Sequence, residues 1–253
     1  IRCEPGRLYV DGNPDKIIDS VWDWIKPTQS ITEDEAYEEF ENLWDINIRK
    51  IIPTCKASLS YSGGLDSSLI LNSVPNLELV AINNTGKDPI VDRIREFLNN
   101  NELVRLKELS VDEKHWAIEY KNLIYDTHMP AQSWSHVGHY LVAKNISNRV
   151  LFTGAGADEL FAGYEVYPNL RYNTDRSYSP YSFDDHENIW NKCLNAYNGD
   201  PRQATLLMDY WYQIVGTDAP GIDRYAGRWG KETRNPFLIK SIMQFALNLP
   251  WDI

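Results

Sequence analysis

Cysteine is scarce in this chain. The 253 residues hold only Cys3, Cys55 and Cys193, an odd number, widely spaced and without a CxxC pair. Neither a disulfide framework nor a cysteine zinc site can be built from them, so reduced thiols in a cytosolic-type compartment are expected. Long apolar runs are missing too. No stretch of 18 or more apolar residues and no charged-then-apolar leader occurs, so the sequence offers neither a membrane span nor a signal peptide. Positive charge is in deficit: 25 Lys+Arg stand against 36 Asp+Glu, a formal net charge of -11. An acidic surface repels phosphate backbones, which disfavours nonspecific binding of nucleic acid by the chain as a whole while leaving room for a local basic groove. Repeats and low-complexity tracts are absent. What is present is ordinary: 43% hydrophobic and 24% charged residues exclude disorder for the bulk of the chain, and the length suffices for a core without staples. The chain begins Ile1-Arg2-Cys3 without Met and stops at Trp251-Asp252-Ile253, so it reads as a piece of something longer.

Apolar spacing predicts the elements. Residues 6–13 read as a short strand and turn. Thr32-Glu33-Asp34-Glu35 is a capping box opening a helix to about residue 52. Its six carboxylates between Ile31 and Glu41 form a solvated face rather than a metal site. From Lys56 the rhythm changes to strands at 57–61, 77–82, 103–109 and 150–153. They alternate with helices to about residue 74, from Asp88-Pro89 to about 100, and over roughly 111–125 and 132–147. That alternation predicts parallel βαβ units. After Tyr164 only helices are expected, near 184–197, 201–216 and 238–249. The fold class is therefore α/β, a doubly wound parallel sheet with additional C-terminal helices. Residues 1–30 read as the end of a preceding domain with its linker, and 31–253 as one domain.

Two loops carry chemistry. In Ser60-Tyr61-Ser62-Gly63-Gly64-Leu65-Asp66-Ser67-Ser68, placed where a strand meets a helix, the glycines let backbone approach an anion. Helix-start N–H groups and the Ser62, Ser67 and Ser68 hydroxyls can donate to phosphate oxygens. This is a pyrophosphate cradle, but it lacks the lysine of a Walker A loop and the spacing of a dinucleotide GxGxxG. The second loop, Thr153-Gly154-Ala155-Gly156-Ala157-Asp158-Glu159, follows the fourth strand. In an open parallel sheet both loops face one crevice, so Asp66 and Asp158 become candidate ligands for a Mg2+ that bridges phosphates.

These segments, with Asp223-Arg224 followed by Gly230-Lys231-Glu232-Thr233-Arg234-Asn235-Pro236-Phe237-Leu238, resemble the three signatures of the asparagine synthetase C-terminal domain family, most closely its eukaryotic domain-containing group. The third signature there reads DR…G-x-E-x-R-x-PFLD. The resemblance runs from about residue 56 to 250. It implies an ATP pyrophosphatase fold, with ATP and Mg2+, and amide formation in two steps: adenylation of aspartate or another carboxylic acid, then attack by ammonia. It implies backbone contacts to the nucleotide from Tyr61 and Ile82, and pyrophosphate binding by Ser62, Gly63, Gly64, Ser67 and Ser68. Asp66 and Asp158 would hold magnesium, and Thr153 with Gly154 would face the adenylate. Ammonia would come from a glutaminase domain outside this chain; Glu4-Pro5-Gly6-Arg7 resembles that domain's tail. No nucleic acid or membrane partner is implied, a cytoplasmic location is expected, and a homodimer stays open.

Ala155 stands where working family members carry a glutamate that assists adenylation and takes a proton from ammonia. Ile239 replaces the PFLD aspartate. The family's downstream lysine has no match, since Lys240 lies elsewhere. Two rivals follow: a specialised amide or lactam ligase, and a nucleotide-binding scaffold whose chemistry ended with Ala155. A tRNA-modifying adenylating enzyme is disfavoured by the acidic balance. His136 and His139, three apart on an expected helix, read as surface or half-buried histidines lacking a third metal ligand. The nine tryptophans read as packing residues.

Overall fold

Ala57, Leu59 and Tyr61, alternating with Ser58 and Ser60, form the centre of a parallel sheet in the computed structural model. It describes residues 7–10, 13–27, 30–84, 91–92, 94–96, 105–129, 134–164, 167 and 186–253. The chain opens with strands β1 (Arg7–Val10) and β2 (Asn13–Ser20), then helices α1 (Val21–Trp24) and α2 (Glu33–Ile51). Next come β3 (Ala57–Ser60), α3 (Leu65–Ser73), β4 (Leu77–Asn84), β5 (Arg105–Val111), α4 (Glu113–Thr127), α5 (Trp134–Asn145) and β6 (Val150–Phe152). The rest comprises α6 (Ala157–Phe161), α7 (His186–Ala196), α8 (Pro201–Asp209), a π-helix (Tyr210–Asp218), α9 (Ala219–Arg228), β7 (Glu232–Arg234), a 3-10 turn (Pro236–Leu238) and α10 (Lys240–Asn248).

The chain divides into two compact units. The sheet unit is Asp45–Ala155 with Thr217–Pro236, and the helical unit is Ile1–Trp44, Gly156–Gly216 and Phe237–Ile253. In the sheet unit the strand order is β5-β4-β3-β6-β7, and every pairing is parallel, with Ala57 opposite both Leu77 and Val150 and Val150 opposite Glu232. The direction of winding reverses between β3 and β6, as in a doubly wound sheet. Leu59, Leu79 and Phe152 are fully buried, as expected for central strands covered on both faces. A cluster of Val111, Leu123, Val137, Tyr140, Leu141 and Tyr225 joins β5, α4, α5 and α9.

Ring-to-ring contacts recur within the helical unit. The capping box of α2 is formed as its sequence predicts: Thr32 N donates to Glu35 Oε2 at 2.9 Å, and Glu35 N donates to Thr32 Oγ1 at 3.3 Å. From that helix Phe40 meets Phe161 at 5.4 Å and Phe245 at 6.1 Å, and Trp44 meets Phe237 at 4.9 Å. Trp22 packs on Trp211 at 5.0 Å. Burial pushes the Cys193 thiol up to about 12, which makes it a small packing residue rather than a nucleophile.

Several expectations need correction. A strand does follow residue 164: β7, Glu-Thr-Arg, has no apolar alternation to announce it. It exists because β6 offers a backbone edge, with Glu232 N donating to Arg149 O at 2.8 Å and Thr153 N to Arg234 O at 3.1 Å. Val111 belongs to β5, and α4 starts two residues later because Asp112 Oδ1 caps it, accepting from His115 N at 2.8 Å. The helix expected over 201–216 changes to π geometry at Tyr210. The segment after residue 12 pairs back on β1 as β2. Gly6, Asp11 and Gly12, and most of the helix expected over 88–100, lie outside the described residues; 91–92 and 94–96 are helical.

Candidate functional site

The strand order reverses between β3 and β6, and the carboxyl ends of two such strands are the usual ligand position in an open α/β sheet. The β3 loop enters it. Tyr61 N still donates to Val80 O at 2.9 Å, extending the ladder by one residue, and the buried Tyr61 ring places its hydroxyl 3.2 Å from Ser68 Oγ. The chain then turns through Gly63, at φ 74, a left-handed conformation that favours glycine. Ser62 Oγ accepts from Gly64 N at 3.3 Å and lies 3.2 Å from Ser67 Oγ, which itself donates to Gly64 O at 3.2 Å. Three serine hydroxyls thus stand around the first turn of α3, whose amides an α-helix leaves without intrahelical partners. This donor set suits phosphate oxygens.

The β6 loop meets it within the same unit. Thr153 is fully buried; its Oγ1 donates to Asn235 Oδ1 at 2.5 Å and accepts from Ala155 N at 3.3 Å. At Gly154 a Cβ would lie 3.1 Å from Asp66 Cβ and 3.8 Å from Ser67 N, so the glycine backbone runs close against the carboxylate-bearing residue. Ile82 sits in β4 opposite Leu109 of β5, and α5 rests on its side chain at Gly138, where a Cβ would be 3.2 Å from Ile82 Cδ1. Ala155, the last residue of the sheet unit, brings a methyl group and no acid.

The helical unit carries Asp158. It stands in the first turn of α6, whose N-cap Gly156 has φ 92 and ψ -9. Burial raises the Asp158 carboxyl above the ordinary carboxylate range. A neighbouring cation would reverse such a shift. Gly163 leaves the carboxylate its room: a Cβ there would be 2.1 Å from Asp158 Oδ1. Between them Ala162 caps α6 at φ 55, a conformation that costs an L-residue about 1–2 kcal/mol. Ala162→Gly is therefore expected to raise stability by about 0.5–1 kcal/mol, the strain relieved exceeding the entropy lost. Thermal melting of the two proteins checks this; an unchanged or lower midpoint would contradict it.

Sequence reasoning missed two polar contributors. Glu159 is buried, and its Oε1 accepts from Tyr164 Oη at 2.7 Å and Gln213 Nε2 at 3.0 Å; a residue following Asp158 in a helix start reads as a dipole partner. Asn235 was visible only as an unspecified position of the third motif. The two histidines part ways. His136 uses both ring nitrogens, Nε2 on Asp218 Oδ1 at 2.7 Å and Nδ1 on Tyr225 Oη at 2.9 Å, while burial lowers the His139 pKa to about 4. Among the described residues no group of three or more His, Cys, Asp or Glu side chains could hold a metal, and no helix is long and apolar enough to cross a membrane.

Residues 56–253 match the family model described as asparagine synthase. An asparagine synthetase domain-containing protein of Drosophila melanogaster is 26% identical over 241 residues, an alignment covering 79% of this chain; the chain spans 38% of that relative's length. A solved U34-tRNA thiolase of Methanococcus maripaludis, with its 4Fe-4S cluster, aligns over 85% of this chain and 91% of its own, at 16% identity and a TM-score of 0.32.

Proposed function

Because the chain belongs to the asparagine synthase family, we propose that it activates a carboxylic acid with ATP and converts the adenylate to an amide. The observation that carries this reading is the meeting of the serine-glycine cradle with Gly154 at Asp66, at the reversal point of the sheet. In-line displacement at phosphorus needs positioning and charge neutralisation above all. Ser62, Ser67, Ser68 and the amides around Gly63 and Gly64 hold the departing pyrophosphate. Tyr61 and Ile82 offer backbone to the nucleotide, and Thr153 with Gly154 faces its α-phosphate. Asp66 and Asp158 would hold Mg2+, which neutralises phosphate charge when bound.

The reaction runs in two steps. A carboxylate oxygen of aspartate, or of another carboxylic acid, attacks the α-phosphorus and pyrophosphate leaves. Ammonia then attacks the acyl carbon; AMP leaves and the nitrogen loses a proton. On this reading ammonia would come from a glutaminase domain outside this chain, residues 1–30 would be the end of such a domain with its linker, and residues 31–253 the synthetase-like part.

Ala155 favours a second reading, a nucleotide-binding scaffold without turnover, since a methyl group cannot relay the proton. The assay is the protein with Mg-ATP, aspartate and ammonia, following pyrophosphate and asparagine. Pyrophosphate with asparagine supports the synthetase; pyrophosphate only with another acid supports a specialised ligase. Saturable ATP binding without pyrophosphate leaves the scaffold. In the synthetase case Ala155→Glu is expected to raise amide formation about tenfold, below the roughly 10²–10⁴ of a tuned base. An unchanged rate would mean that the methyl group is not what limits turnover.

A further inference from the structure

Resting on this nucleotide-site reading, we infer that Asn235 is a positioning residue that holds the β6 loop against Asp66 by acting through the Thr153 hydroxyl. Thr153 is fully buried, and a buried hydroxyl needs partners. Its proton goes to Asn235 Oδ1 at 2.5 Å, a carbonyl-type oxygen that can only accept. With the proton committed there, the lone pairs of the same oxygen turn to the N–H of Ala155 at 3.3 Å. One residue earlier the backbone does the same service, Thr153 N donating to Arg234 O at 3.1 Å. Consecutive residues of the edge segment, Arg234 and Asn235, thus grip Thr153 at its amide and at its side chain.

The grip matters because Gly154 lies between the two anchored atoms. Gly154 passes close to the phosphate loop: a Cβ there would be 3.1 Å from Asp66 Cβ and 3.8 Å from Ser67 N, the first of these tighter than an ordinary packing contact. A rotation of the Thr153–Ala155 segment would carry Gly154 off Asp66 and change the spacing between the two sides of the nucleotide site. Asn235 touches no reacting atom in this scheme. Its task is to fix one hydroxyl, and through it one loop. The third signature leaves this position unspecified between Arg234 and Pro236, so the role rests on the hydrogen bond itself.

The test is a double-mutant cycle with Thr153→Val and Asn235→Ala, read in steady-state pyrophosphate release and in amide exchange of Ala155 measured by NMR without nucleotide. Asn235→Ala is expected to raise the KM for ATP about threefold to tenfold, the loss of one part-buried hydrogen bond, with kcat within about twofold. In the Thr153→Val background the same change should add less than about 1.5-fold, because the route through the hydroxyl is already gone. Ala155 amide exchange should quicken in both single variants and no further in the double. Additive KM effects, or unchanged exchange in Asn235→Ala, would overturn the inference. If the wild type binds no ATP, the nucleotide reading fails, and the exchange arm alone still decides whether Asn235 holds the loop.

Discussion

Asp66→Asn is expected to lower ATP-dependent pyrophosphate release about 10³-fold while leaving the protein folded. The amide keeps the shape of the carboxylate and removes its charge. That charge is what a hard cation selects, since Mg2+ is held by one or two carboxylates together with phosphate oxygens. The structural penalty is much smaller. An acid in the first turn of α3 favours the helix by only about 0.3–1 kcal/mol. The measurement is pyrophosphate release at saturating ATP against Mg2+ concentration, with a melting curve beside it. A variant that turns over like the wild type at the same Mg2+ requirement would remove Asp66 from the site.

The surroundings of Asp66 were legible in the chain because they are local. Two glycines, the hydroxyls of Ser62, Ser67 and Ser68, and a strand-to-helix change fall within nine consecutive residues, 60–68, and each acts through its near neighbours in the chain. The central strands were legible for a related reason: Leu79 and Phe152 lie in short apolar runs, Leu59 alternates with serines, and all three are fully buried. What escaped was set at a distance. β7 is a strand only because β6 presents unpaired backbone to it. The Thr153–Asn235 bond joins residues 82 positions apart, and nothing near either one announces the other. The change from α to π geometry at Tyr210 has no local marker in the apolar spacing that predicted a continuous helix there.

Gly156→Ala is expected to cost about 2–3 kcal/mol of stability. Two causes act together. At φ 92 an L-residue loses about 1–2 kcal/mol to backbone strain, and the new Cβ would fall 2.3 Å from Leu238 Cδ2 and 3.1 Å from its Cγ. Leu238 can yield only by leaving its rotamer, at about 0.5–1.5 kcal/mol. For a protein of this size the midpoint should drop by about 4–12 °C. Adding Leu238→Ala separates the causes: relative to Leu238→Ala alone, Gly156→Ala should then cost only the backbone share. A double variant with no relief at all would show that the overlap is not felt, and a Gly156→Ala midpoint equal to the wild type would show that the turn tolerates a side chain.

The order in which the sheet is strung on the chain has a consequence for synthesis. β6 leaves the ribosome well before the strand that completes its edge, and Asn235 follows Thr153 by 82 positions, about 4–16 s at roughly 5–20 residues per second. Through that interval β6 is a bare edge, open to pairing with other chains. The nascent protein can build four strands and the serine-glycine loop, yet the clasp on Thr153 closes only when the third signature emerges. Translation that stalls inside residues 156–231 therefore leaves the chain sticky and its second loop unclasped at the same moment.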